Sequence, residues 1–289
     1  MQTEDVLMKT FTLAPSMALA RYDYLSRLSM DRWAWEYLRR NPRFRRDYAL
    51  CAELGPSETM APCAPIRMLK SRAEQRLAGR WGLVFMPDPA LGGFEADAVW
   101  SDAAFPGQVE IHCSPRGPGE TCDLWDRTLP IAKITHISDY LGREYLLVRG
   151  KGCVVQVKCT GLPLIGLEPV RMKFTVSDIE TYERMARGQK AVLNLYGDGP
   201  DLSVPLWIKT TQILRNGLIA LDGLAKDMTR REIAILLYGE ARVAEGWSQN
   251  GGGLRDAVKY LVRKAEGLRD GGYLMELLGT EAGPGQRVA

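Results

Sequence analysis

Histidine is nearly absent from this 289-residue chain: there are two, against six cysteines, and none of the eight is spaced to hold a metal ion. No Cys-x-x-Cys pair occurs, and His112 and His136 stand apart from each other, so no metal and no other cofactor is expected. Gly-x-Ser-x-Gly, a Walker loop and a metal-binding helix are missing as well. The glycines of Gly188–Pro200 and Gly251-Gly252-Gly253 lack the strand–loop–helix setting of a phosphate cradle. No catalytic residue can be named, and an enzyme is not expected. No apolar run is long enough to span a bilayer. Phe11–Ala20 imitates a signal peptide only loosely, because Glu4 and Asp5 precede it and Thr12, Pro15 and Ser16 interrupt it. The reading is therefore cytoplasmic, with cysteines that are reduced and partly buried. Internal repeats and low-complexity tracts are absent too.

What is present is ordinary in bulk and uneven in distribution. Apolar residues make up 46% and charged residues 25%, enough to build a core. The length suggests two domains, or one domain with an appendage. Thirty-eight basic residues barely exceed 35 acidic ones, so net charge does not identify a nucleic-acid binder. Between Arg21 and Arg46, however, eight arginines face only Asp23, Asp31 and Glu36. From Arg230 to Asp270, eight basic residues face six acidic ones.

The pattern along the chain predicts an α+β protein. Residues 1–20 read as a flexible leader. Residues 21–60 read as a small helical N-terminal domain: Asp31 is expected to cap a helix through Trp33, Ala34, Tyr37 and Leu38, and Asn41-Pro42 breaks it and opens a second. Phe44 and Tyr48 share a face there. Residues 61–123 read as linker and irregular chain, with a linker by composition at Pro56–Pro65, a helix at Ile66–Trp81 and loops with short strands from Pro87 to Gly119. Residues 124–209 form a β-rich middle. Tyr145–Val148 and Val154–Val157 flank Arg149-Gly150-Lys151-Gly152, which fits a hairpin with a glycine-bearing turn. Arg171–Val176 is a further candidate strand. Cys153 and Cys159 would face one side of a strand. Asp178–Arg187 looks helical with Ser177 as its cap, and Gly197–Pro200 reads as a turn. Residues 210–280 read as a helical, helix-turn-helix-like unit led by a helix from Leu206 to Gly223. Residues 281–289 read as a flexible tail.

The C-terminal unit carries the strongest functional signal. Thr229-Arg230-Arg231-Glu232 has the form of a capping box. Ile233, Leu236 and Leu237 follow at helical spacing, and Gly239 stops the helix. After a connection that needs its own short turn, at Glu240–Gly246 with Trp247 as anchor, a longer helix begins near Leu254. On a wheel, Leu254, Val258, Leu261, Ala265 and Leu268 share one side. Arg255, Lys259 and Arg263 fall within roughly 80° on a neighbouring side. Such a helix can enter a major groove. Arg255, near its start, is expected to read bases, and Lys259, Arg263, Thr229, Arg230 and Arg231 to hold phosphates. The plainer alternative is a solvated face, since Asp256 and Glu266 dilute the stripe. The N-terminal aromatic and basic residues can stack on bases or line a core. The preferred reading is core plus a partner surface made by Trp35, Arg39, Arg40 and Arg43.

Certain segments also resemble a known family. Tyr24-Leu25, Trp33-Ala34-Trp35-Glu36-Tyr37-Leu38-Arg39-Arg40-Asn41 and Tyr48 resemble the small N-terminal domain of proteobacterial regulators carried on integrative and conjugative elements. Leu221-Asp222-Gly223, Arg231-Glu232-Ile233-Ala234, Trp247, Leu254-Arg255 and Gly271-Gly272-Tyr273 resemble the DNA-binding domain that follows it. The arrangement looks like the FseA-type activators of element excision. The resemblance implies a β-rich half followed by helices. It also implies double-stranded promoter DNA as partner, activation of the recombination directionality gene, and silencing by a small antiactivator protein. RNA polymerase is a further conceivable partner, and no dimer seam is visible. The long helix is less basic here than the family pattern, interrupted by Ala257, Tyr260 and Glu266. The alternative function is a regulator that binds another protein and never touches DNA.

Overall fold

β-branched and aliphatic runs of period two fill the middle of the chain, where each strand can bury one face and sometimes both. The computed structural model describes residues 19–51, 55–62, 66–166, 168–176, 179, 182–193, 207–247 and 253–280. Among these, seven strands form one mixed sheet: β1 (Ser57–Met60), β2 (Arg67–Lys70), β3 (Val109–Pro115), β4 (Lys133–Ser138), β5 (Glu144–Gly150), β6 (Cys153–Gly161) and β7 (Val170–Thr175). Their spatial order is β1-β2-β4-β5-β6-β3-β7. β2 runs parallel to β4 and β3 parallel to β6, while the remaining neighbours are antiparallel. The fold is α+β, as the sequence pattern predicts.

The expected hairpin joins β5 to β6, pairing Gly150 with Cys153. Its two turn residues, Lys151 and Gly152, have φ of 46° and 73°. Positive φ at both positions matches the right-handed twist of the strands, and glycine makes the second position inexpensive. β6 carries both Cys153 and Cys159, and β7 corresponds to the strand expected from Arg171.

The chain divides into two compact units, one from Leu28–Val204 and Leu268–Ala289, the other from Met1–Arg27 and Pro205–Gly267. The first holds the sheet, α1 (Met30–Leu38), α2 (Pro42–Cys51), α3 (Arg76–Arg80), α4 (Asp123–Thr128), α5 (Tyr182–Leu193) and two π-helical turns, Leu268–Gly272 and Leu274–Leu278. One sheet face packs Ile111, Ile134, Leu146, Val148 and Val157 against Leu124, Trp125 and Val192. On the other face Leu69, Ile137, Tyr145, Leu147 and Val154 meet Phe85 and Val99. A third cluster joins Trp35, Leu38 and Phe44 to Trp81, Trp100 and Tyr273. α1 and α2 therefore share a core with Trp81, Trp100 and Tyr273 of the same unit.

Several local expectations are corrected. Ile66–Trp81 is not one helix. It holds β2, paired with β1 and β4, and only the five-residue α3. The four apolar and basic residues of β2 are too few for period alone to tell strand from helix. Pro56–Pro65 includes β1 rather than serving only as linker. Ser29, not Asp31, occupies the position before α1, and Asp31 sits in its first turn. Asn41 does cap α2: its Oδ1 accepts from the amides of Arg43 (2.8 Å) and Phe44 (3.2 Å). The leader up to residue 18, the Ser177 cap, the Gly197–Pro200 turn and the 281–289 tail lie outside the described residues.

The second unit contains α6 (Lys209–Leu224), α7 (Arg230–Tyr238), α8 (Glu240–Gly246) and α9 (Gly253–Gly267). Ala220, Ile233, Ala234, Val243, Val258, Leu261 and Val262 form its core, with Trp247 and Leu254 packed alongside. Residues from the start of the chain belong here too: Tyr22 Oη donates to Asp222 Oδ2 at 2.8 Å.

Candidate nucleic-acid interface

Local chemistry sets the start of α7. Thr229 has extended φ/ψ of −69° and 157°, and its hydroxyl accepts from the Glu232 amide. The Glu232 carboxylate returns to the Thr229 amide at 2.7 Å. Those bonds from Thr229 hold the Glu232 carboxyl below its ordinary range. Arg230 and Arg231 are exposed in the first turn. Gly239, at φ 86°, ends α7 and begins α8 without an intervening loop. Few residues other than glycine adopt that backbone cheaply. α8 buries Val243 against the core, so the expected extra turn exists and Trp247 follows it, half-buried.

α9 then presents two faces. Val258, Leu261, Val262 and Ala265 are buried. Arg255, Lys259 and Arg263 are all exposed. Among the described residues no ion pair holds them, nor Arg230 or Arg231, and Asp256 and Glu266 form none. Tyr260 is 57% exposed, and the Arg263 guanidinium lies 5.8 Å from its ring centre. An exposed, unpaired ridge of this kind can neutralise phosphates, and an arginine at its leading end can reach a base edge.

Two family models match the chain. Residues 17–86 match a proteobacterial transcriptional regulator-like domain, and residues 179–278 match a T6SS transcription factor DNA-binding domain. No curated protein matches it. The matched segments support a DNA-binding transcription regulator, with DNA as its partner. The whole of α6–α9 lies inside the DNA-binding match.

Within that match, sequence reasoning passed over Arg242. It is exposed on α8, with its guanidinium 5.6 Å from the ring centre of Tyr238. The four-residue spacing of tyrosine and arginine was the available signal. Thr229 is differently placed from the arginines beside it. Its hydroxyl donates to Glu232 at 2.7 Å, so the side chain is occupied in capping.

The regulator-like match contains the four residues expected at a partner surface, and the structure separates them. Trp35 is fully buried, donates from Nε1 to the Leu91 carbonyl at 3.1 Å, and meets Phe44 edge-on at 5.5 Å. Arg39 and Arg40 both pair with the buried Glu36, at 2.7 and 2.6 Å. Arg43 alone is exposed. Trp35 is thus core, because α1 is enclosed on every side from Asp31 to Leu38. Burial pushes the Glu36 carboxyl up, but Arg40 and Arg39 outweigh it, and its pKa is lowered.

The two histidines are also apart. His112 is exposed on β3, with Nδ1 3.3 Å from Thr160 Oγ1. His136 is buried on β4, with Nε2 2.9 Å from Glu144 Oε1. Among the described residues no group of side chains is arranged to hold a metal ion. A cavity of about 430 Å³ opens beside Ser29, Phe105, Val109, Gln156 and Gly188, and neither histidine lines it. Burial pushes the Cys113 thiol up to about 11 and raises Cys159 and Cys153 too, so these thiols stay protonated and weakly nucleophilic. Among the described residues no helix is long and apolar enough to cross a membrane.

Proposed function

We propose that this chain is a cytoplasmic transcriptional activator of a mobile integrative and conjugative element, switching on the recombination directionality gene that permits excision. The observation that carries the contact model is the exposed cationic ridge of Arg255, Lys259 and Arg263 on α9, inside the segment that matches a DNA-binding domain. The excision role rests on the resemblance of the Trp33–Asn41 and Arg231–Ala234 segments to FseA-type activators. Arg255 reads a base; Lys259, Arg263, Arg230 and Arg231 hold phosphates. Thr229 contributes through the helix start that it fixes. A small antiactivator protein and RNA polymerase are the proposed protein partners.

The test is footprinting on the element's excision promoter, with binding followed against salt. Direct phosphate contact makes affinity fall steeply as salt rises. Arg255→Ala is expected to cost about 1–3 kcal/mol and loosen sequence preference, while Lys259→Ala weakens all sequences alike. Equal effects of both changes on specific and random DNA would remove the division of labour. The match of residues 179–278 to a T6SS transcription factor DNA-binding domain favours a second reading, regulation of a T6SS promoter. Protection of such a promoter in place of the excision promoter would select it.

A further inference from the structure

The sheet unit carries a second cationic surface, on α2, that the α9 model does not use. Between Arg39 and Arg46 the chain has five arginines. Glu36 takes Arg39 and Arg40. Arg43, Arg45 and Arg46 remain exposed, and among the described residues no carboxylate pairs with them. Phe44 is buried and Tyr48 packs beside it, which fixes the inward side of α2. At about 100° per residue, the outward arc from Arg45 through Ala49, Arg46 and the exposed Leu50 to Arg43 spans about 160° and, among the described residues, contains no acid.

The acid at the border of that arc is already committed. Asp47 accepts from Trp81 Nε1 at 2.9 Å and lies 3.9 Å from Arg80 Nη1. Asp47 is one helical turn from Arg43, so Arg80 of α3 extends the basic surface on that side. Arg45 is exposed and steadied by a 2.8 Å bond from Nε to the Arg39 carbonyl. Every cation on the surface is an arginine. The guanidinium fork suits the paired oxygens of a phosphate and retains its charge at any working pH.

We infer that the Arg43, Arg45, Arg46 and Arg80 face binds the phosphate backbone of duplex DNA, adding sequence-independent contacts to those of α9. Charge complementarity selects the occupant: among the described residues the arc carries three guanidinium groups and no acid, Asp47 at its border is held by Trp81 and Arg80, and Leu50, 75% exposed, is its one large apolar side chain. The proposal rests on DNA being the partner, not on how α9 reads it.

The test compares the full-length chain with R43Q/R45Q/R46Q and R43K/R45K/R46K on a mixed-sequence duplex of about 40 base pairs, roughly four helical turns. Affinity is followed across a salt series. Each phosphate contact contributes about 0.9 to the slope of log affinity against log salt, so the glutamine variant should lose about 2–3 from the slope. Its affinity at low salt should fall about tenfold or more, and the lysine variant should keep most of both. Glutamine is a good helix former, and unchanged melting would confirm that α2 persists. An unchanged slope in the glutamine variant overturns the proposal, as does loss of binding to an acidic peptide with DNA affinity intact. Equal damage from lysine and glutamine also overturns it, because charge would then not be the cause. R255A/K259A is measured in parallel: an unchanged slope there sinks the α9 model and leaves this surface standing.

Discussion

A carboxylate removed from water costs several kcal/mol unless cations and amides surround it, and Glu36 is surrounded. Arg39 Nε and Arg40 Nη1 meet one oxygen, and the Gly93 amide meets the other at 2.7 Å. A Cβ at Gly93 would come within 2.9 Å of Leu28 and 3.3 Å of the Arg32 carbonyl, so the backbone can approach α1 this closely only as glycine. Arg32, also fully buried, donates to Asp31 and to the Ala98 carbonyl. These bonds tie α1 to the loop from Pro89 to Trp100. Glu36→Ala takes this carboxylate away from Arg39, Arg40 and the Gly93 amide, and is expected to cost about 3–5 kcal/mol in urea unfolding. The pH dependence has a definite sign. The folded pKa of Glu36 lies below its ordinary 4.5. Its stabilisation is complete above about 4.5 and is lost as pH falls through the folded value. Glu144 acts in the same direction. Burial raises its pKa, and the hydrogen bonds from His136 and the Leu164 amide more than offset that. A Glu36→Gln chain should therefore show a shallower loss of stability between pH 5 and pH 3 in acid titrations followed by circular dichroism, on the order of the shift in one carboxyl. An identical acid limb in both chains would remove Glu36 from the account.

Elements were legible wherever local chemistry decides them. The Thr229–Glu232 box and the Asn41-Pro42 start write their geometry into two to four residues and form as read, and the hairpin expected at Arg149–Gly152 forms with a tighter turn, Lys151 and Gly152 alone. What was not legible is what covers an element. Trp33 to Leu38 has the composition of an amphipathic helix with a polar side. Yet Asp31, Arg32 and Glu36 are all buried: their ionic partners are local, but the Gly93 amide and the Ala98 carbonyl that complete the set arrive from far along the chain. The parallel pairings β2–β4 and β3–β6 are equally non-local, and no periodicity signals them. On α9 the period separated buried from exposed positions: Val258, Leu261 and Ala265 are buried, and Arg255, Lys259 and Arg263 are exposed. At this scale Thr229→Ala should destabilise the α6–α9 unit by about 1 kcal/mol. It should also weaken DNA binding only as far as the start of α7 frays. Gly239→Ala should cost about 1–2 kcal/mol from backbone strain alone, since no atom lies within 4 Å of its added Cβ. Thermal melts of the two variants test both, and a neutral Gly239→Ala would mean that the α7–α8 junction relaxes.

The two ends of the chain are interleaved in its units. Residues through Arg27 belong with Pro205–Gly267, while Leu268 onward returns to the sheet unit. Leu25 is fully buried, Tyr22 reaches Asp222, and Asp23 acts electrostatically on Arg215. Residues 19–27 thus belong to the same unit as the proposed DNA-contacting helices and are held to α6 of that unit. Removing residues 1–60 would be a poor test of an N-terminal role. It would delete α1 and α2 and strip the cover from Trp81, Trp100 and Tyr273, which share a core with them. Removing residues 1–27 is the cleaner experiment. The sheet unit keeps its own core, so its unfolding transition should stay near that of the intact chain. The α6–α9 unit should melt earlier, and DNA affinity should fall with it even though Arg255, Lys259 and Arg263 are untouched. Tyr22→Phe, which removes one hydroxyl bond of 2.8 Å, should reproduce about 1 kcal/mol of the effect. If the shortened chain melts and binds like the full one, residues 19–27 do not support the helices. If binding falls while every transition is unchanged, those residues touch the DNA themselves.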